Sequence, residues 1–244
     1  LCFEKRNDTL NAIKYYDASI RSDSLYAAGY RDLGSILKKS GKLDQAEKVY
    51  LAGTRKIPGN SDMLNDLGSL YFKMFRDSLA EKYYLLSAQK NPKSVYPLYN
   101  LGLLYNIYKK TDKAISYYLK SLQADSNYAY SYYNLGVIYY DSNKLIPAEK
   151  NLLKAIEKKP DYTDAINQLA VLYDNSKKFK EAEYYYQLAL QKDSNYIYAR
   201  YNLGLLYKKQ KKTELAEKYF LETIKKDSNY SKAYNGLAIF YEDQ

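Results

Sequence analysis

The chain has 244 residues, of which 46% are hydrophobic and 27% charged, a composition that is typical of a folded protein and excludes a disordered one. Basic residues outnumber acidic ones by 38 to 28, giving a formal net charge of +10. Histidine is absent and Cys2 is the single cysteine, which excludes histidine-dependent catalysis, disulfide frameworks and zinc sites built from cysteine and histidine. No stretch approaches the ~18 apolar residues that a membrane-spanning helix needs.

Several residue columns repeat every 34 positions along the chain. Leu-Gly pairs begin at residues 33, 67, 101, 135 and 203, and Leu169-Ala170 fills the remaining place. Two further columns follow the same period: Ala12, Ala46, Ala80, Ala114, Ala148, Ala182 and Ala216, and Tyr16, Tyr50, Tyr84, Tyr118, Leu152, Tyr186 and Phe220. Because independent columns share one period without insertion or deletion, we predict a repeat protein.

Each period carries two apolar stripes at helical spacing, which predict a first helix and a second helix. In the period that begins at residue 95, Leu98, Leu101 and Tyr105 mark the first helix, and Ala114 and Tyr118 mark the second. In chain order we predict a partial pair in residues 1–26, complete pairs in 27–60, 61–94, 95–128, 129–162, 163–196 and 197–230, and a final first helix in 231–244. The prediction is therefore fourteen helical segments and no strand.

Small and polar residues mark the helix crossings and helix starts. Gly102 and Ala114 are small where the two helices of one pair are predicted to cross, which allows their backbones to approach. Thr111 and Thr213 stand at the start of second helices and are predicted to be their N-caps.

The combination of Leu-Gly, tyrosine, alanine, a second aromatic residue and, in three places, a closing proline resembles the tetratricopeptide repeat. The resemblance covers the whole chain, and the pairs above would be its repeats. It implies an all-α, right-handed α–α superhelix in which the first helices line a concave groove. Residues 1–26 would be mostly the second helix of an earlier repeat, and residues 231–244 the first helix of a further repeat or a capping helix. We expect the sequence to be a segment of a longer array or a larger protein.

The resemblance also implies that positions 2, 5, 6, 9, 12 and 13 of each repeat face the groove. Position 6 reads Asp32, Asp66, Asn100, Asn134, Gln168 and Asn202. A carboxamide both donates and accepts hydrogen bonds, so such a column can hold an extended peptide backbone. The pattern resembles the asparagine ladder in the arm of O-linked N-acetylglucosamine transferase. The alternative is that asparagine here belongs to the Tyr-Asn-Leu-Gly consensus and has no specific role.

Tyrosines form a second candidate set on the same face. They occupy positions 2 and 5 of three repeats: Tyr96, Tyr99, Tyr130, Tyr133, Tyr198 and Tyr201. Tyrosine provides large contact area at low entropic cost and is enriched at binding hot spots. The alternative is that tyrosine replaces other large residues under a compositional bias. The candidate peptide-binding residues are therefore Asn100, Asn134, Gln168, Asn202, Asp66, Tyr96, Tyr99, Tyr130, Tyr133, Tyr198 and Tyr201.

Other function classes find less support. A carboxylate clamp for acidic chaperone tails needs cations at fixed groove positions that carry Asn65, Tyr130 and Asn134 here, so the resemblance gives no chaperone-tail ligand. The basic excess is spread over the repeats and is not concentrated beside stacking aromatics, which argues against nucleic-acid binding. No phosphate-binding loop, metal-ligand spacing or catalytic constellation is present, so we expect neither a cofactor nor catalysis.

We therefore expect a scaffold for protein–protein interaction that binds a protein or an extended peptide in the concave groove. The first alternative is the substrate-recruiting arm of a larger enzyme, such as a glycosyltransferase, and a third hypothesis is an RNA-binding helical array. The sequence does not identify the partner, the oligomeric state or the compartment. Among compartments, the cytoplasm is favoured.

Overall fold

The computed structural model describes residues 8–242. The start of the predicted leading repeat, with Cys2, and the last two residues of the chain lie outside the described residues. The described part contains fourteen α-helices and no strand, so the prediction of an all-α fold is confirmed. In chain order the helices are α1 Thr9–Ser22, α2 Ala27–Lys39, α3 Leu43–Lys56, α4 Ser61–Lys73, α5 Asp77–Lys90, α6 Val95–Ile107, α7 Thr111–Ala124, α8 Ala129–Asp141, α9 Leu145–Lys158, α10 Thr163–Asn175, α11 Phe179–Lys192, α12 Ile197–Lys209, α13 Thr213–Lys226 and α14 Ser231–Glu242.

The even-numbered helices are the first helices of the period, and the odd-numbered helices are the second helices. They divide into two compact units, unit 1 ending at Ser126 and unit 2 beginning at Asn127. In each unit every helix packs on the next one, and each first helix also contacts the first helix of the following pair. Each unit is thus a stack of helix pairs, in which the pair is the element that repeats.

In four of the five Leu-Gly pairs the glycine provides the space for an aromatic ring of the second helix, and Gly136 of the fifth lies against Leu152. A Cβ atom added to Gly102 would lie 2.6 Å from the nearest ring carbon of Tyr118, and one added to Gly34 would lie 2.4 Å from Tyr50. Tyr118 and Tyr50 are fully buried. The ring of the second helix therefore lies directly on the backbone of the first helix, and this contact explains why two columns of the sequence share the period.

A hydrogen bond joins successive helix pairs. The hydroxyl of Tyr71 in α4 donates to Glu47 in α3 over 2.8 Å, and that of Tyr207 in α12 donates to Glu183 in α11 over 2.8 Å. The same bond recurs from Tyr105 to Glu81, from Tyr173 to Glu149 and from Tyr241 to Glu217. The sequence analysis assigned Tyr105 to the apolar stripe of its first helix but overlooked the glutamates, although they follow the same 34-residue period.

The turn between the two helices of a pair differs from the prediction at one residue. Thr111 and Thr213 are the first residues of α7 and α13, and the N-caps are Lys110 and Lys212, so the predicted threonine caps are wrong. The N-cap residue is held in place by its backbone N–H, which donates to a carbonyl of the preceding helix, 2.9 Å away in both turns. Lys109, just before Lys110, adopts the left-handed conformation with φ 55°.

The length and polarity of the helices bear on membrane insertion. None of the helices described in residues 8–242 is both long enough and apolar enough to span a bilayer.

Candidate peptide-binding face

The first-helix face is the side of the first helices that carries positions 2, 5, 6, 9, 12 and 13 of each period, counted from residue 27. These positions recur at three- and four-residue spacing and so share one side of a helix. Side chains at positions 2, 5 and 6 are half-buried or exposed, whereas the neighbouring Leu-Gly pairs are buried. All eleven predicted binding residues belong to positions 2, 5 and 6, and they lie on both units.

In the repeats that begin at residues 27 and 61, most of this face is charged, and several of its charged groups are paired with one another. The guanidinium of Arg31 donates to Asp66 over 2.7 Å and to Asp62 over 3.1 Å. Burial raises the pKa of Asp66, while the hydrogen bond and the charge of Arg31 oppose that shift. The Asp66 carboxylate is thus held by a neighbouring repeat. Next to this ion pair, Lys38 donates to Ser69 over 3.2 Å.

Two carboxamides of the predicted asparagine column form hydrogen bonds with the preceding repeat. Asn100 donates to Asn65 of the preceding first helix over 2.9 Å, and Asn202 donates to Asn167 over 3.2 Å. Position 6 of one repeat therefore contacts position 5 of the repeat before it, as Asp66 does with Arg31. Asn134 differs, because its amide group donates to the backbone carbonyl of Tyr130 over 2.8 Å.

Two groups of four tyrosines dominate the first-helix face of unit 2. The first tyrosine cluster consists of Tyr128, Tyr130, Tyr133 and Tyr162, and the second of Tyr196, Tyr198, Tyr201 and Tyr230. In the first cluster, the ring of Tyr162 lies 5.2 Å from that of Tyr130 and 5.0 Å from that of Tyr133. In the second, the ring of Tyr230 lies 6.0 Å from that of Tyr198 and 5.5 Å from that of Tyr201. The two clusters have the same arrangement two repeats apart.

Exposure differs within the predicted tyrosine set. Tyr96, Tyr130 and Tyr198 at position 2 are 57%, 37% and 50% exposed. Tyr99 and Tyr201 at position 5 are half-buried, and their rings pack on core rings of their own helix pairs, 5.8 Å from Tyr118 and 5.9 Å from Phe220. The position 2 rings therefore offer the larger contact area to a ligand.

The sequence prediction missed four members of the clusters, Tyr128, Tyr162, Tyr196 and Tyr230, which occupy the last position of their repeats. They recur at the 34-residue period, so the sequence carried the signal. Tyr196 of the second cluster is linked to the preceding first helix, because its hydroxyl donates to Asp164 of α10 over 2.6 Å. Gln168 is half-buried in α10. Burial, and then the bond to Asp164, raises the pKa of Tyr196, which keeps its hydroxyl protonated as a donor.

Metal binding finds no support in the described part of the chain. Residues 8–242 contain no cluster of three carboxylate or thiol side chains that could hold an ion.

Solved structures share this fold. PilF of Pseudomonas aeruginosa matches with a TM-score of 0.76 and 18% identity, covering 89% of this chain and 97% of that chain. The Cut9 and Hcn1 hetero-tetramer of the APC/C matches with a TM-score of 0.77 and 14% identity, covering 98% of this chain and 47% of that chain. YrrB, described as a TPR protein with an unusual peptide-binding site, matches with a TM-score of 0.56 and 15% identity, over 77% and 97% of the two chains. At these identities the likeness concerns the fold alone.

Sequence comparison identifies the family. Comparison with curated proteins gave no match. Three family models, each described as Tetratricopeptide repeat, match residues 3–61, 96–128, 129–162, 163–192 and 197–230, which together make up about three quarters of the chain. The chain therefore belongs to the tetratricopeptide repeat family, whose members generally mediate protein–protein interaction.

Proposed function

We propose that this chain is a non-catalytic interaction scaffold whose first-helix face binds an extended peptide segment of a partner protein. The observation that carries the proposal is the pair of tyrosine clusters on the first-helix face of unit 2. Each cluster brings four rings together at a surface where the position 2 ring is at least one-third exposed. Tyrosines in such a setting are typical anchors of protein interfaces.

The packing of these rings supports binding energetically. Tyr130 and Tyr198 are each held against further rings, so few rotamers remain to be lost when a ligand binds. Their exposed parts can still bury apolar surface of a ligand, and their hydroxyls can accept or donate hydrogen bonds. We propose Tyr96, Tyr130 and Tyr198 as the main contacts, and the less exposed Tyr99, Tyr133 and Tyr201 as secondary contacts.

The carboxamide column would bind the backbone of the peptide. We propose this role for Asn100, Asn134, Gln168 and Asn202, in a groove of the asparagine-ladder type. In Asn100 and Asn202 the bond to the neighbouring asparagine fixes the plane of the carboxamide, and one amide hydrogen and the carbonyl oxygen retain further bonding capacity. Asp66 would contribute through its ion pair with Arg31.

The division into repeats is part of the proposal. We propose six complete repeats beginning at residues 27, 61, 95, 129, 163 and 197, with partial repeats in 1–26 and 231–244. In support, a first helix begins at each of these six residues. The described peptide-binding site of YrrB belongs to that protein, and supports only the general idea that this fold can serve peptide recognition.

A matched pair of variants tests the proposal. Peptide arrays probed with the full chain supply the tightest-binding peptide, and its affinity is then measured by fluorescence anisotropy for wild type, Tyr198→Ala and Tyr184→Ala. Both residues lie in unit 2 and are exposed, at 50% and 60%, but Tyr184 lies on a second helix. We expect Tyr198→Ala to weaken binding by about tenfold, the loss of a hot-spot contact, and Tyr184→Ala to leave it unchanged.

Melting curves of both variants provide the control for folding. Equal affinities of the two folded variants, or a loss confined to Tyr184→Ala, would place the binding site outside the first-helix face and contradict the proposal.

A further inference from the structure

The loops that lead into the first helices share a local hydrogen bond. In four of them the first loop residue, Asp23, Asn91, Asp193 or Asp227, accepts a bond from the backbone N–H two residues later, over 2.8 to 3.2 Å. This is the turn that aspartate and asparagine side chains favour. Lys159 occupies the same column, and since it has no acceptor oxygen, it cannot make this bond.

Lys159 instead reaches the first tyrosine cluster. Its ammonium group donates to the hydroxyl of Tyr130 over 2.9 Å, and it lies 4.8 Å from the ring centre of Tyr130 and 5.0 Å from that of Tyr162. Both ring distances are within the range of cation–π attraction. A lysine in this column therefore gives up a turn-stabilising bond and places a positive charge beside the exposed ring of Tyr130 and the buried ring of Tyr162.

The charge of Lys159 is not neutralised by a direct ion pair in the described chain. The ammonium contacts are with Tyr130 and Tyr162, and the carboxylates of Asp161 and Asp164 act on it from beyond ion-pair distance. The hydrogen bond with Tyr130 raises the pKa of Lys159 above its ordinary value, so the group stays protonated at neutral pH. Two of its three hydrogens are left for a ligand.

The second tyrosine cluster has the opposite charge at the equivalent place. There the residue is Asp227, whose carboxylate accepts the loop bond from the backbone N–H of Asn229 over 2.9 Å. The ring arrangement of the two clusters is the same, so the cation at position 159 is a specific feature of the first one. Since the whole chain carries a formal net charge of +10, an acidic ligand is also favoured by long-range attraction.

We propose that Lys159 and the first tyrosine cluster form a subsite for a glutamate or aspartate side chain that neighbours an apolar residue of the bound peptide. The carboxylate would accept a charge-assisted hydrogen bond from Lys159, and the apolar neighbour would pack on the ring of Tyr130. This inference rests on the proposed peptide-binding function and adds the chemistry that its ligand must carry.

Matched peptide pairs test the subsite. An array of acetylated and amidated peptides presents each sequence twice, with glutamate or with glutamine beside a phenylalanine, so that the side chain provides the one carboxylate that differs. The full chain is probed as wild type, Lys159→Met and Lys154→Met, and dissociation constants are measured for the tightest pair. Lys154→Met is the control, because it removes the same charge from a lysine that lies over the ring of Tyr132 in the same unit.

We expect wild type and Lys154→Met to bind the glutamate peptide about fivefold to tenfold more tightly than the glutamine peptide. Lys159→Met should bind both peptides equally, with the affinity of wild type for the glutamine peptide. Equal binding of both peptides by wild type, or a glutamate preference that survives in Lys159→Met, would overturn the subsite and leave the proposed function standing. If no peptide on the array binds, the proposed function and this inference both fail.

Discussion

At the residue scale, one position of the turn has a backbone conformation that most of the residues found there disfavour. The turn between the two helices of a pair places one residue in the left-handed region, and the structure describes six of them: Gly41, Phe75, Lys109, Asn143, Lys177 and Lys211, with φ between 55° and 76°. Only glycine adopts this conformation without steric cost, and asparagine with little. Phe75 is the least suited, since its side chain is also 89% exposed and gains no burial in return.

Replacing Phe75 with glycine should therefore stabilise the protein. We expect Phe75→Gly to raise the free energy of unfolding by about 0.5–1 kcal/mol, because the relief of strain exceeds the added entropy of the unfolded chain. Urea denaturation of wild type and variant measures the difference. The control is Phe75→Ala, which removes the exposed ring but keeps the Cβ atom. An equal gain in both variants would attribute the effect to the ring and not to the backbone.

At the scale of the element, the helix pair depends on the contact between a glycine and a ring. Gly102 leaves 2.6 Å between a hypothetical Cβ atom and Tyr118, which is closer than real Cβ contacts come. In the pair α10–α11 an alanine, Ala170, takes the place of the glycine, and both it and Tyr186 remain buried. A helix pair can thus accommodate one additional methyl group at this position, whereas a larger side chain exceeds the available space.

The loss of stability on substitution of Gly102 should therefore increase with the size of the new side chain. We expect Gly102→Ala to destabilise the protein by about 1 kcal/mol or less and Gly102→Leu by about 3 kcal/mol, because a branched side chain must displace the ring of Tyr118. Thermal denaturation followed by circular dichroism measures both. A Gly102→Leu protein that melts like wild type would show that the assignment of first and second helices to these positions is wrong.

The same element shows what the sequence could and could not predict. The helix pairs follow from the period, because leucine, glycine, alanine and tyrosine occupy fixed places in both apolar stripes. The pairing of Asn100 with Asn65 could not be predicted, since the reach of a carboxamide depends on the offset between successive first helices, which the period does not specify. The cluster tyrosines Tyr162 and Tyr230 could have been found, because they follow the period themselves.

At the scale of the whole molecule, buried tyrosine should govern the response to alkaline pH. Burial raises the pKa of Tyr50, Tyr84, Tyr118 and Tyr186 above the ordinary value of about 10. The unfolded chain therefore releases these protons at a lower pH than the folded chain does. Their contribution to stability is complete below pH ~10 and is lost as the pH rises toward the folded-state values.

The chain should accordingly unfold cooperatively above pH ~10. Tyrosinate absorbance and far-ultraviolet circular dichroism, recorded on the same samples, measure ionisation and helix content together. We expect the ionisation of the buried tyrosines to coincide with the loss of helix. Complete ionisation with the helices intact would mean that these hydroxyls are accessible to solvent, contrary to the packing described above.

The location of the ligand is the central claim, and a nuclear magnetic resonance titration tests it most directly. The ¹⁵N-labelled full chain is titrated with the tightest-binding peptide from the array, and the signals of backbone amides and of side-chain carboxamides are followed. The account predicts the largest shifts for Tyr198 and for the carboxamides of Gln168 and Asn202, all on first helices. Shifts confined to second helices, for example around the exposed Leu85 and Leu221, would contradict it.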